Sequence, residues 1–237
     1  MVRVAAQPAP APPVPELSLI MPAYNEERHL AKVLEAVTAA FPEAEIVLVS
    51  DGSTDRTPEL ARGYAPQVTT VHYEPNRGKG HAVRTGMLTA RGRIRIFTDA
   101  DLPFGTEGVA AVYARLRNDP DIDIVIAAKT GIKRGVLYRV ARSMARVGIA
   151  ALTGLCYADT QAGLKGFRGP VAQELYSEAR IEGFASDIEI LYLAKQKGLR
   201  VTALSMAVVG DYRRPSRFGV VAGMRVLRDV GRIRRGR

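Results

Sequence analysis

The chain has 237 residues, of which 47% are hydrophobic and 24% charged, enough apolar material for a buried core and too much for a disordered chain. Its single cysteine, Cys156, excludes an intramolecular disulfide and a cysteine-rich zinc site. The formal net charge is +10, but residues 213–237 hold nine arginines and one aspartate, a net +8, so the preceding 212 residues carry only +2. In chain order, residues 1–16 (MVRVAAQPAPAPPVPE) carry five prolines and no apolar period, and they predict an extended or disordered leader. They lack the charged-then-apolar layout of a secretory signal, and no run in the chain is apolar for long enough to span a bilayer. The expected compartment is the cytoplasm.

Strand-like runs follow at 17–23 (LSLIMPA), 45–51 (EIVLVSD), 68–74 (VTTVHYE), 93–99 (RIRIFTD) and 123–129 (DIVIAAK). Helical patterns begin between them near Glu26, Thr54, Gly80 and Thr106. Such alternation predicts an α/β fold, a mostly parallel sheet with helices on both faces. Ligands bind such sheets beyond the carboxyl ends of the strands. PAYNE (22–26), DGSTD (51–55), PNRGKG (75–80) and DADLP (99–103) each follow a predicted strand, so they should converge on one edge. Any one of them alone is a good turn; four in succession read as a site.

The first strand–helix junction, PAYNEE, has no glycine, which excludes a dinucleotide fingerprint, and RGKG lacks the spacing of a P-loop. There is no tryptophan, and the basic tail has only Tyr212 and Phe218 as aromatics, which excludes a nucleic-acid module built on stacking. Asp99 and Asp101 stand one residue apart at a predicted strand end, and on extended chain they would face one side. Two close carboxylates repel unless a positive charge lies between them. A hard divalent cation, Mg²⁺ or Mn²⁺, would supply that charge and also hold a diphosphate. A solvated acidic turn accounts equally well for this pair taken alone.

Together, LSLIMPAYNEERHL, IVLVSDGSTDRT, NRGKGHAVRTGM and IFTDADLP resemble the successive motifs of family 2 glycosyltransferases with the GT-A fold. DTQAGLKGFRG (159–169) and SDIEILYLAKQKG (186–198) resemble the branch that makes dolichyl- or polyprenyl-phosphate sugars, the dolichyl-phosphate mannose and glucose synthases. The resemblance runs from Leu17 to Arg217, which implies one GT-A domain over 17–217, a leader over 1–16 and a basic amphipathic tail over 218–237. It implies that Pro22, Ala23, Tyr24, Glu26 and Asp51 hold the donor nucleotide, with Lys79 close to it. Asp99 and Asp101 would reach metal and diphosphate, and Arg217, helped by Arg214, the donor phosphates. Lys129 stands where the family has an arginine, and with Arg139 and Ser143 it would form the acceptor-phosphate set. Arg139 and Ser143, four residues apart on a helix, share a face and can grip one anion. Pro103 and Phe104 replace the glutamine and histidine of the mannose-type enzymes.

The function implied is metal-dependent, inverting transfer of a sugar from a nucleoside diphosphate to a polyprenyl phosphate. A lipid phosphate is already anionic near neutral pH and needs alignment rather than a base. A hydroxyl acceptor would need a carboxylate base, for which Asp187 and Glu189 are the candidates; both read equally well as helix N-terminal charges. The rival readings are a soluble relative acting on a small acceptor or isomerising the sugar nucleotide, and a non-catalytic nucleotide- or membrane-binding adaptor. Residues 134–155 carry an apolar stripe, including Leu137, Val140, Met144, Ala151 and Leu155, that is expected to pack on the sheet or on a second copy in a homo-oligomer. In the tail, Val220, Met224, Leu227 and Val230 oppose Arg225, Arg228, Arg232 and Arg235, a layout suited to lying on an anionic membrane surface at its cytoplasmic face.

Overall fold

The computed structural model describes residues 13–130, 150–151, 153–155, 162–209, 229 and 231. Its elements in chain order are β1 (Leu17–Ala23), α1 (Glu27–Ala40), β2 (Glu45–Asp51), α2 (Thr57–Arg62), β3 (Val68–Tyr73), α3 (Lys79–Thr89), β4 (Ile94–Thr98), α4 (Gly105–Asn118), β5 (Ile124–Thr130), β6 (Leu164–Arg168), α5 (Gly169–Glu178), α6 (Ser186–Gln196) and β7 (Val201–Ala207). The five predicted strands and four predicted helices are all present, their starts displaced by at most three residues.

The seven strands form one sheet in the order β3-β2-β1-β4-β6-β5-β7. All run parallel except β6, which is antiparallel to both β4 and β5. Period-two alternation splits the buried strand residues between two layers. Leu19, Met21, Ile46, Leu48, Ile96 and Val125 join α1, α2 and α4 on one face. Ile20, Val47, Val49, Phe97, Ile124 and Ile126 join α3, α5 and α6 on the other. The helices follow the 3.6-residue period, as in α1, where Leu30, Leu34 and Val37 are buried.

The chain runs outward from β1 to β3 and then crosses back to place β4 on the other side of β1. Strand order therefore reverses between β1 and β4, and the crevice beyond their carboxyl ends is where a ligand is expected. β6 starts at this same edge, because it runs the opposite way.

Two expectations need correction. β4 ends at Thr98, and the amide of Leu102 donates to the carbonyl of Asp99 at 2.9 Å, so residues 99–102 form a turn. Asp99 and Asp101 are therefore not alternate residues of an extended chain. Just ahead of β1, the carbonyls of Pro15 and Glu16 accept hydrogen bonds from the amides of Arg93 and Ile94 (3.0 Å each). The sheet is also wider than the five runs, by β6 and β7. Within the 134–155 stripe, Leu155 is buried against the α6 side of the core and Ala151 is exposed; residues 134–149 and most of the tail lie outside the described residues.

Candidate active site

The loops after β1, β2 and β3 lock onto one another through directed hydrogen bonds. Asn25 adopts φ +54°, its amide donates to Ser53 Oγ at 3.1 Å, and its Oδ1 accepts from the Thr54 amide at 2.9 Å. The Glu26 amide donates to Thr57 Oγ1 at 2.8 Å, and the Glu27 amide to Asp55 Oδ2 at 3.1 Å. Asp51, only 4% exposed, does the same for the third loop. Its Oδ1 accepts from the Arg77 amide (2.8 Å), and its Oδ2 from the Gly78 amide (2.9 Å) and Asn76 Nδ2 (3.0 Å). Gly78, at φ +105°, leaves no room for a side chain against the Glu182 carbonyl, nor does Gly80 against Ser186. These two glycines let the 76–80 loop lie on the segment before α6. Glu182 there pairs with Arg77, and His81 Nδ1 lies 3.4 Å from its carboxylate. Tyr73 sits beside Asp51; burial first, then that carboxylate, pushes its phenol well above the ordinary value.

Beyond β4 and β6 the arrangement is held by charge. Lys79, the first residue of α3, places Nζ 2.6 Å from Asp99 Oδ1. Burial alone would lower the pKa of this ammonium; Asp99, then Asp187 and Asp101, outweigh that and hold it above its ordinary value. The positive charge that the paired acids require is thus present in the protein itself. The Asp99 amide donates to the Gly163 carbonyl at 2.9 Å, and a side chain at Gly163 would displace the Asp99 carboxylate from its place. Asp101 is exposed, Asp99 partly so. Among the described residues no three His, Cys, Asp or Glu side chains converge on one point. Mg²⁺ and Mn²⁺ sites commonly use one or two carboxylates and complete their shell with substrate phosphates and water, so this pair of hard oxygen donors fits such an ion.

Beneath this edge lies a second pair that the sequence reading missed. Lys165 of β6 is fully buried, and its Nζ lies 2.6 Å from Asp187 Oδ1 and 2.7 Å from the Ala162 carbonyl. Both lysines lie near the Phe97 ring, with Lys165 Nζ 5.1 Å and Lys79 Nζ 5.7 Å from its centroid. The available signal was a lysine at the second position of the short strand LKGFR.

The other candidates are placed as follows. Pro22 and Ala23 end β1 at the crevice, with Tyr24 exposed and Glu26 partly buried just beyond. Lys129 is partly exposed near the end of β5, two strands from Asp99 across β6. Asp187 is taken by Lys165. Glu189 accepts from the amides of Arg180 (3.0 Å) and Ile181 (2.9 Å) with one oxygen each, so its carboxylate holds the turn before α6. Burial raises its pKa, and those amides, with Arg180 and Arg84, offset only part of the rise. Arg139, Ser143, Arg214 and Arg217 lie outside the described residues.

Residues 18–169 match the family model of Glycosyl transferase family 2. The chain is 34% identical over 217 residues to dolichyl-phosphate beta-glucosyltransferase of Drosophila melanogaster, covering 81% of this chain and 66% of that protein. It is 31% identical over 224 residues to dodecaprenyl-phosphate galacturonate synthase of Rhizobium johnstonii, covering 91% of this chain and 65% of that one. The chain therefore spans slightly less than two thirds of these relatives' length. Among solved structures it is similar to glucosyl-3-phosphoglycerate synthase of Mycobacterium tuberculosis in complex with Mn²⁺, UDP-glucose and phosphoglyceric acid. The TM-score is 0.72 at 21% identity, covering 93% of this chain and 79% of that one, a likeness of GT-A fold.

Proposed function

Because the chain belongs to glycosyl transferase family 2, we propose that it moves a sugar from a nucleoside diphosphate to a polyprenyl phosphate, with inversion at the anomeric carbon. The observation that carries this reading is the Lys79–Asp99 pair at the switch between β1 and β4, beside exposed Asp101 and above the locked nucleotide loops. The names of the relatives, a dolichyl-phosphate glucosyltransferase and a polyprenyl-phosphate galacturonate synthase, support the lipid phosphate as acceptor.

In this reading the loops anchored by Asn25 and Asp51, together with Pro22, Ala23, Tyr24 and Glu26, frame the base and ribose. The Lys79 ammonium faces the diphosphate, and Arg214 and Arg217 supply further charge to it. Asp99 and Asp101 would hold Mg²⁺ or Mn²⁺, which when bound neutralises charge on the departing diphosphate. Lys129, Arg139 and Ser143 receive the acceptor phosphate and aim one oxygen at the anomeric carbon. That oxygen is already anionic, so no carboxylate need take a proton. This agrees with Asp187 and Glu189 each being committed to other partners.

No helix among the described residues is long and apolar enough to cross a membrane. The arginine-rich tail is the proposed peripheral attachment to an anionic membrane at its cytoplasmic face. The deciding experiment incubates a panel of nucleoside-diphosphate sugars with a short polyprenyl phosphate or with small hydroxylated acceptors, and identifies products by mass. Glycosyl phospholipid is the expected product. Turnover only with a hydroxylated acceptor would replace this reading by that of a soluble relative, and none at all by that of an adaptor.

A further inference from the structure

We propose that Lys165 is a positioning residue for the Lys79–Asp99 pair, acting through Asp187. The inference rests on the donor-site reading above and concerns a residue to which that reading gives no role.

Lys165 sits on a central strand, in register with Phe97 on one side and Ile126 on the other, all three directed to the same face of the sheet. An ammonium in that position contributes little to the fold. Replacing a buried ion pair by apolar residues of similar volume is often neutral or stabilising, whereas removing one partner leaves an uncompensated charge. What the pair does supply is order at the edge above it. The two ion pairs are neighbours, since both ammonium groups lie near the Phe97 ring. The negative charge of Asp187 reaches Lys79 as well as Lys165, so Asp187 is a rival to Asp99 for the Lys79 ammonium. Lys165 at 2.6 Å keeps that rival engaged and leaves Lys79 with Asp99, facing the crevice.

Removing Lys165 alone should therefore misdirect Lys79, and removing the charge of Asp187 as well should return it. The test compares the full chain with Lys165→Met and with Lys165→Met/Asp187→Asn. Binding of the nucleoside-diphosphate sugar chosen by the panel is measured by calorimetry, and each variant's fold is checked by circular dichroism. Lys165→Met should bind that donor about tenfold more weakly, the double variant within about twofold of the parent. Equal binding by parent and single variant, or a double variant as weak as the single, overturns the proposal. If Lys165→Met does not fold, the double variant decides alone, because a direct role for Lys165 on the donor predicts a loss there too. Crystal structures of the variants separate this proposal from the donor-site reading. Lys79 Nζ should lie on Asp187 in the single variant and on Asp99 in the double one, whether or not any sugar nucleotide binds. Lys79 remaining on Asp99 in the single variant also overturns it.

Discussion

The two halves of the crevice are built by different means. On the β1–β3 side, side-chain oxygens of Asn25, Asp51, Asp55 and Thr57 take main-chain amides of neighbouring loops. On the β4–β6 side, Asp99 and Asp187 take lysine ammonium groups. Amide hydrogen bonds are directional and fix a loop in one place. An ammonium on a flexible stem is a point charge that can change partner as a charged ligand arrives. In the proposed function, the first half shapes a pocket for an uncharged base and the second meets a diphosphate.

The largest effect should come from the charged half. Asp99→Asn is expected to lower turnover by about 100-fold or more, in line with the loss of one preorganised electrostatic group at a reacting phosphate. Asp101→Asn should act in the same direction, chelation should abolish turnover, and Mg²⁺ or Mn²⁺ should restore it. The melting temperature should scarcely change, and a large drop in it would show that the acids hold the fold rather than the donor. Steady-state kinetics with a melting curve reads both.

Asp51→Ala probes the other half and should behave in the opposite way. It strands the amides of Arg77 and Gly78, while Asn76 Nδ2 keeps its 2.8 Å bond to the carbonyl of residue 51, at a cost of about 3 kcal/mol from the two lost partners. Urea unfolding should register that loss, and donor binding should weaken with it as the 76–80 loop departs. Unaltered stability would mean that the loop is held from the α6 side, through Glu182.

The smallest effect is at Asp55. Burial alone would raise its carboxyl, but the Thr57 side chain and the amides of Thr57 and Glu27 outweigh that and hold it below the ordinary value. A carboxyl depressed in the folded state stabilises it above the unfolded-state pKa, and that contribution is lost as pH falls through the folded-state value. Asp55→Ala should therefore cost about 1 kcal/mol at neutral pH and progressively less through the acid range. A cost that is constant with pH would remove the carboxylate from the account and leave only its shape.

Strands β1 to β5 and helices α1 to α4 were legible because each buries a regular face, and period two or 3.6 survives in the sequence. β6 was not. LKGFR has a lysine and a glycine at its centre, and its burial comes from neighbours on both sides rather than from its own pattern. β7 does alternate, but as an edge strand with only partly buried residues its signal is weak.

Sequence by itself determined that four polar loops follow four strands and that Asp99 and Asp101 lie at the end of one of them. Local pattern suffices for this, because a parallel sheet brings successive strand ends to one edge. Only the tertiary structure decided which charge meets which. Lys79 reaches Asp99 from the start of a helix, and Lys165 reaches Asp187 from a strand that runs against its neighbours. These partners are 20 and 22 residues apart, at no helical or strand period. Electrostatic pairing depends on distance in space and on the water excluded around it, and neither is written in the order of residues.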